Sequence, residues 1–410
     1  MIWRFVIQRK LSLILRQLSR RFDMVFFFLS LLLSVSVLTC TLMLFEGYER
    51  ALKDSILSFN AHIYFFKPGI NDLQELDILH IEDYLKNEAD YVSSQAVING
   101  QGMLSIGSNL KGVNYRSIEY ERNDLPIAYQ EIIVDGSHIL ENSNDIVIGK
   151  QLAESNKVAI GDTLYILAGL NKNKSLSSLH QLPLRVVGTF RTGMYEYDMK
   201  NIFVTKEQAL LISKKSLGIG NYNLLEVKIL TDKLENAKKI AAKWERDLGL
   251  RYQVFSWINY NGNIFSLLKL EKWVIGIVLF FLIIIASFST ISSTVTSINE
   301  DQKKIAILRS IGLEFRKIYQ IYYTKFMLLG AFGIICGLGS GWLLASIISR
   351  QGIIKMEGQV YLLDKFHVSI EISTLFVIFF STMSVLSVSI LAALARLKTL
   401  NIIDVLRINK

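Results

Sequence analysis

Residues 271–315 read EKWVIGIVLFFLIIIASFSTISSTVTSINEDQKKIAILRSIGLEF, and the fold turns on this stretch. The apolar block 273–298 exceeds the roughly 20 residues needed to cross a bilayer. A charged break follows at Glu300, Asp301, Lys303 and Lys304. Beyond it Ile305, Leu308, Ile311, Phe315 and Ile318 recur at helical spacing. A membrane helix therefore leads into a short basic helix with one greasy side. That side needs cover, from a cytosolic partner protein or from the headgroup layer of the membrane.

Three more apolar blocks of spanning length lie at 24–45, 326–348 and 372–394. A mean hydropathy of +0.34 is too high for an ordinary soluble protein. The formal net charge of +9 invites a nucleic-acid reading, but its placement argues against one. Arg4, Arg9, Lys10, Arg16, Arg20 and Arg21 precede the first span, and Lys303, Lys304, Arg309, Arg316 and Lys317 lie between the second and third. Arg396, Lys398, Arg407 and Lys410 follow the fourth. The positive-inside bias puts both termini (1–23 and 395–410) and the 299–325 loop in the cytoplasm. Residues 46–272 and the 349–371 loop then lie outside. The block 24–45 is too long for a signal-peptide core and no small-x-small site follows it, so it reads as a retained helix. Cys40 and Cys336 both fall inside spans, which leaves the outer domain to hold by burial without a disulfide.

Residues 1–23 suggest an amphipathic helix along the inner leaflet. The sequence EGYERALKDSILSF extends the helical pattern of the first span outward. In the outer domain, 61–66 and 91–98 read as strands around a helix at 73–87. A second unit has strands at 224–229 and 252–257 around a helix at 232–248. Asp232 and Glu235 suggest a capping box for that helix, and Gly249 its stop. These units, at 58–100 and 222–260, resemble a split ferredoxin-like plan around an insertion, 101–221. The insertion reads as mainly β, with strands at 145–148, 163–168, 184–190 and 201–205. A structureless loop, 169–183, joins two of them and is long enough to suggest a binding role. The expected fold class is a membrane protein of four transmembrane α-helices plus a large α+β periplasmic domain, two β-α-β units flanking a mainly β insertion.

Catalytic signatures are missing. The chain has no GxxxxGK[ST] phosphate loop and no HExxH, and its five histidines are scattered. No catalytic, metal-binding or cofactor-binding residue is expected. The spans carry no ionisable side chain near their centres, where an ion-coupled pump needs one. Energy for work must then come from elsewhere, and an ATPase docked on the amphipathic segment would supply it. In the third span Gly333, Gly337 and Gly341 form a close-approach face for another helix, in this chain or a second subunit.

Several segments together resemble the permeases of lipoprotein-releasing ABC transporters, the LolC/LolE family of the MacB/FtsX-like superfamily. They are GYERALKDSIL after the first span, then DIVIGKQLAESNKVAIGDTLYIL and VVGTFRTGMYEYD in the outer domain. LEKWVIGIVLFFLIIIASFSTISS leading to KKIAILRSIG completes the set. The likeness runs nearly end to end in order and spacing. It implies a bacterial inner-membrane permease that extracts triacylated lipoproteins from the outer leaflet and passes them to a periplasmic LolA-like carrier. Partners would be a LolD-like ATPase that holds ATP and Mg, membrane lipid, and a second permease, LolC/LolE-like or a copy of this chain. Lys303, Lys304, Ile305, Leu308, Arg309, Ile311 and Gly312 would form the ATPase-coupling helix. Phe27, Leu31, Val35, Leu38 and Ser289 would line the substrate cavity, Ser289 standing where the family has Asn. Lys172, Lys174, Leu176, Leu179, His180, Gln181 and Pro183 would form the chaperone-binding loop. That loop lacks the Thr-Pro-Met-Gly-like turn of one branch, so LolC-like, LolE-like and hybrid types stay open. An alternative keeps the fold but relays ATP hydrolysis to a periplasmic partner without carrying lipoprotein, and a ligand-binding membrane receptor is a third reading.

Overall fold

The computed structural model describes residues 2–69, 72–107, 109–122, 124–168, 180–216, 222–351 and 372–395. The chain begins with a 58-residue helix, α1 (Ile2–Phe59), followed by β1 (Ile63–Phe66), α2 (Glu75–Leu85) and β2 (Tyr91–Val97). Next come β3 (Asn99–Ile106), β4 (Asn109–Ser117), α3 (Tyr129–Ile132), β5 (Ile133–Gly136), β6 (Asp145–Gly149) and α4 (Lys150–Asn156). Then follow β7 (Thr163–Ala168), β8 (His180–Phe190), α5 (Tyr195–Lys200), β9 (Asn201–Val204) and α6 (Lys206–Ser216). β10 (Leu224–Ile229), α7 (Ala237–Leu248), β11 (Gln253–Ser256) and α8 (Trp257–Tyr260) complete the outer portion. The helices α9 (Gly262–Glu300), α10 (Gln302–Ser310), α11 (Phe315–Gln351) and α12 (Ile372–Leu394) follow. The chain divides into two compact units, one of Met1–Tyr48, Lys269–Ile354 and His367–Lys410, the other of Glu49–Leu268 with Lys355–Phe366.

Among the described residues four helices are long and apolar enough to span a membrane, Met24–Phe59, Gly262–Glu300, Phe315–Ser349 and Ile372–Leu394, and their apolar portions make up most of the first unit, the membrane unit. Its core joins Phe27, Leu31, Val35 and Leu38 of α1 to Ile318, Tyr322 and Phe326 of α11 and Ile378, Leu386 and Ile390 of α12. Lateral hydroxyl contacts supplement this packing: Ser30 to Ser289 at 2.8 Å, Ser287 to Ser389 at 2.6 Å, and Tyr323 to Ser387 at 2.9 Å. Such contacts satisfy polar groups where no water can.

In the outer unit β1, β2, β10 and β11 form a sheet in the order β11-β1-β10-β2. Every neighbouring pair is antiparallel. The first and third of these strands in the chain are central, which is the ferredoxin-like arrangement, and everything from β3 to β9 is inserted between the second and third. The insertion is a seven-stranded sheet, β5-β8-β6-β9-β4-β3-β7, in which β7 pairs back to β8 and closes a barrel. Its strands β6 and β9 bury both faces. Ile146, Ile148, Ile202 and Val204 point into the barrel core, while Val147 and Phe203 join Phe59, Tyr129 and Phe190 in a second cluster. Period-two alternation between two buried faces explains why IVI and IFV show no polar positions.

Three expectations need correction. The capping box of Asp232 and Glu235 does not form, because the chain first makes a 3-10 turn, Thr231–Asn236, and the α-helix starts only at Ala237. Glu235 instead meets Lys53 at 3.4 Å on the surface. A capping box does form at Gln74 and Asp77 of α2. The 169–183 loop is shorter than read: His180, Gln181 and Pro183 belong to β8, where Gln181 pairs with Leu167 and Pro183 with Tyr165. Finally, β3, β4 and β5 were not anticipated.

Candidate functional site

The amphipathic segment forms α10, a nine-residue helix that Gly312, with φ +99°, terminates. Of the three apolar residues expected to meet a partner, only Ile305 is turned inward. Ile305 and Ala306 are buried, and Ile305 joins the core containing Ile318, Tyr322 and Phe326. Leu308 and Ile311 point away from that core, 40% and 78% exposed, with Ile307 beside them at 52%. Ile305 therefore anchors the helix, and Ile307, Leu308 and Ile311 form the uncovered peg. Lys303, Lys304 and Arg309 are exposed around it, and the Arg309 guanidinium lies 5.6 Å from the Phe315 ring centroid. At the base, buried Asp301 accepts a hydrogen bond from Tyr322 Oη at 3.0 Å and pairs with Lys304 at 3.2 Å. Asp301 and Tyr322 fix the helix on α11. Sequence reading missed them, since only folding brings the two together.

Phe27, Leu31, Val35 and Leu38 do share one helical face, but that face is packed inside the bundle. Its complement is the glycine stripe. A Cβ at Gly337 would lie 2.7 Å from Val35 Cβ and 3.0 Å from the Leu32 carbonyl oxygen. One at Gly341 would lie 2.6 Å from the Ser36 carbonyl oxygen, and one at Gly333 would touch Phe28 at 3.4 Å. The partner of the glycine face is thus the first span of the same chain. The void that Leu31, Val35 and Leu38 line is about 30 Å³, room for water but far too small for an acyl chain. Ser289 is occupied by its contact with Ser30. All four spanning helices leave apolar side chains uncovered within this unit, among them Leu33 of α1, Leu328 of α11 and Val377 of α12; on α9, Ile277, Phe281, Ile285 and Phe288 are each more than half exposed. Lys172, Lys174, Leu176 and Leu179 lie outside the described residues.

The outer unit contains a buried polar junction. Arg116 of β4 donates to Glu226 of β10 and, at 2.6 Å, to the carbonyl oxygen of Phe59, the last residue of α1. Its guanidinium lies 5.3 Å from the Phe59 ring centroid and 6.0 Å from that of Phe203. Burial pushes the Glu226 carboxyl up, against the pull of Arg116. Among the described residues no cluster of His, Cys, Asp and Glu has the makings of a metal site.

Two further groups set the acid response. Burial lowers His62, partly opposed by its backbone contact with Ile229 and aided by Lys228, to about 4. Burial tends to raise Asp77, but hydrogen bonds from Lys67, the Gln74 N–H, Arg251 and Tyr252 outweigh it and hold the carboxyl at about 2. A group depressed on folding stabilises the native state above its unfolded pKa and loses that contribution as pH falls through the folded one. His62 acts between about 6.5 and 4, and Asp77 only below about 3.8. Acidification from pH 7 to 4 is expected to cost the outer unit roughly 3 kcal/mol through His62. Urea melts across that range test this, and His62→Gln should flatten the slope. An equally steep slope in the variant would assign the loss elsewhere.

Residues 276–402 fit the family model described as FtsX-like permease C-terminal. The chain carries an FtsX-like permease domain. Over most of its length this chain is similar to the lipoprotein-releasing system transmembrane protein LolC of Xylella fastidiosa, at 25% identity over 327 residues, 78% of this chain and 76% of that protein. LolC of Neisseria meningitidis is 23% identical over 348 residues, 81% of each chain. LolE of Haemophilus influenzae is 23% identical over 350 residues, again 81% of each. Among solved structures, the periplasmic region of MacB from Actinobacillus actinomycetemcomitans aligns with 52% of the permease and 97% of its own chain, at 13% identity and TM-score 0.32. The extracellular domain of the ABC-type transporter YknZ aligns with 48% of the permease and all of its own chain, at 15% identity and TM-score 0.31.

Proposed function

We propose that the permease is the membrane subunit of an ABC transporter that extracts acylated lipoproteins from the outer leaflet of a bacterial inner membrane. A separate ATPase subunit, holding ATP and Mg, would drive it, and a periplasmic carrier would receive the product. Both termini and α10 would lie in the cytoplasm, and the outer unit in the periplasm. The observation that carries this reading is the uncovered apolar peg of Ile307, Leu308 and Ile311 on a helix otherwise ringed by Lys303, Lys304 and Arg309. Such a face fits a hydrophobic groove on a partner with an acidic rim. The LolC and LolE relatives supply the substrate class. The outward stripe of α9 (Ile277, Phe281, Ile285 and Phe288), one of several exposed apolar faces on the spanning helices, would meet acyl chains. The 169–179 segment would contact the carrier.

Purification of the permease with its associated proteins tests the reading. The intact complex should contain an ATPase and release acylated protein on ATP addition. Leu308→Asp combined with Ile311→Asp should reduce ATPase recovery at least about tenfold, because two buried anchors become charges in an apolar groove. Full ATPase recovery with that double variant, or a purified permease with no ATPase, would overturn it.

A further inference from the structure

The segment FRTGMYEYD, residues 190–198, has no part in the transport reading so far, yet its local structure is heavily specified. Asp198 Oδ1 accepts from both the backbone N–H and the hydroxyl of Thr192, each at 2.8 Å, and Thr192 Oγ1 accepts from Met194 N at 3.1 Å. Gly193, with φ +84°, makes the turn between them that a side chain would strain. Gly149 gives α5 room, since a Cβ there would run into the Asp198 backbone. The result of all this fixing is the position of Tyr197.

Tyr197 is half-buried, its ring 4.7 Å from that of Phe59 and its hydroxyl held between two asparagines. Asn60 Nδ2 donates to that hydroxyl at 3.0 Å, and the hydroxyl donates to Asn261 Oδ1 at 3.0 Å. Asn60 is the first residue beyond α1, bonded back to the Ile56 carbonyl through its backbone and side-chain nitrogens at 2.9 and 3.0 Å. Its Oδ1 accepts from Tyr64 Oη at 3.0 Å. Asn261 immediately precedes α9, and its carbonyl accepts from Ile264 N at 3.0 Å and Phe265 N at 3.3 Å, the first bonds of that helix. One phenolic oxygen on α5 therefore joins the residue just beyond α1 to the residue just before α9. Both neighbours are uncharged amides whose geometry is fixed by their own helices. Tyr64, by donating to Asn60 Oδ1, fixes which end of that amide faces the phenol, and the Tyr197 hydroxyl then accepts one bond and donates one.

We propose that Tyr197 is a positioning residue for transport: its hydroxyl keeps the outer ends of the first two spanning helices in register, so that displacement of one is transmitted to the other. This rests on the transport reading for its functional half and stands alone for its structural half. Tyr197→Phe keeps the ring on Phe59 and removes both bonds.

The test uses the full-length complex in nanodiscs. Spin labels are placed at Asp54 and Ser266, both exposed, with Cys40 and Cys336 replaced by serine. The wild type should give one narrow distance distribution. In Tyr197→Phe a second population, minor in the wild type, should rise at least roughly fivefold, the low end for losing two net hydrogen bonds. Asn261→Ala should do the same, and the double variant should add nothing, because both cut one link. ATP consumed per lipoprotein released should rise in each variant while ATP hydrolysis itself continues. Distributions that stay narrow in Tyr197→Phe would overturn the proposal, as would a broadened distribution with an unchanged ATP-to-lipoprotein ratio. Failure of the transport reading would be seen separately, as a wild-type complex that releases no lipoprotein while the distance arm still reports on the joint.

Discussion

Arg116→Ala is expected to destabilise the outer unit by about 3–5 kcal/mol, the usual cost of removing one partner of a buried ion pair. The size follows from what the side chain does. Glu226 is 3% exposed, and burial already raises its carboxyl against the pull of Arg116. Without the guanidinium that carboxylate must either stay charged in an apolar site or take up a proton. The Phe59 carbonyl oxygen at the end of α1 loses its donor as well, and the rings of Phe59 and Phe203 lose a covering cation. Urea unfolding of full-length protein, followed by fluorescence of the outer-unit tryptophans, measures the loss. Arg116→Met paired with Glu226→Leu should recover most of it, since a buried pair replaced by apolar residues is often neutral. A midpoint unaffected by Arg116→Ala would mean that Glu226 is not dependent on its partner.

Gly341→Leu should abolish assembly of the membrane unit, and Gly339→Leu, two residues away, should leave it intact. A Cβ at Gly341 meets the Ser36 carbonyl oxygen and, at 2.7 Å, Thr39 Cβ, whereas one at Gly339 meets nothing within 4 Å. The obstacle at Gly341 is backbone, which cannot rotate aside, so α1 and α11 must separate along the whole stripe. Overpacking of a well-filled core commonly costs about 1–3 kcal/mol, and a backbone clash lies at or beyond the upper end. Monodispersity in detergent and protease resistance of the two variants give the comparison. Identical behaviour would show that the stripe tolerates separation.

The contrast between these glycines marks what the sequence could and could not tell. Spacing marks Gly333, Gly337 and Gly341 as a close-approach face, while Phe27, Leu31, Val35 and Leu38 were one possible face of the first span, named from the family resemblance. That the two meet each other is a long-range fact, invisible in either segment. The orientation of the short helix α10 is hidden for a related reason. Residues three apart drift by 60° per step around a helix, so Ile305, Leu308 and Ile311 do not share a narrow face. Which side is buried is decided by Ile318 and Tyr322 on the next helix. The strands of the ferredoxin-like sheet were legible as β-branched and aromatic runs. By contrast β3 (NGQGMLSI) and β4 (NLKGVNYRS) carry little β signal. Gly100 and Gly102 occupy positions where side chains of Tyr115 and Ile166 fill the space, so the apolar alternation is supplied by neighbours. Tyr197 stood in a recognisable motif, but nothing local reveals that its hydroxyl spans two helix ends.

The order of strands in the ferredoxin-like sheet also constrains biogenesis. β1 leaves the ribosome early, yet its partners are β10 and β11, with Ile63 opposite Val227 and Phe65 opposite Val254. Until synthesis has passed the barrel, β1 has two open edges and the end of α1 lacks the Glu226-bound arginine arrangement that caps it. The barrel's own strands all lie between Asn99 and Val204 and can close without waiting. The newborn chain must therefore present a sticky, unpaired strand beside the bilayer for the time taken to translate about 160 residues, which at about 5–20 residues per second is some 8–30 s. The tight apolar pairing that makes the finished sheet durable is also what makes this interval hazardous.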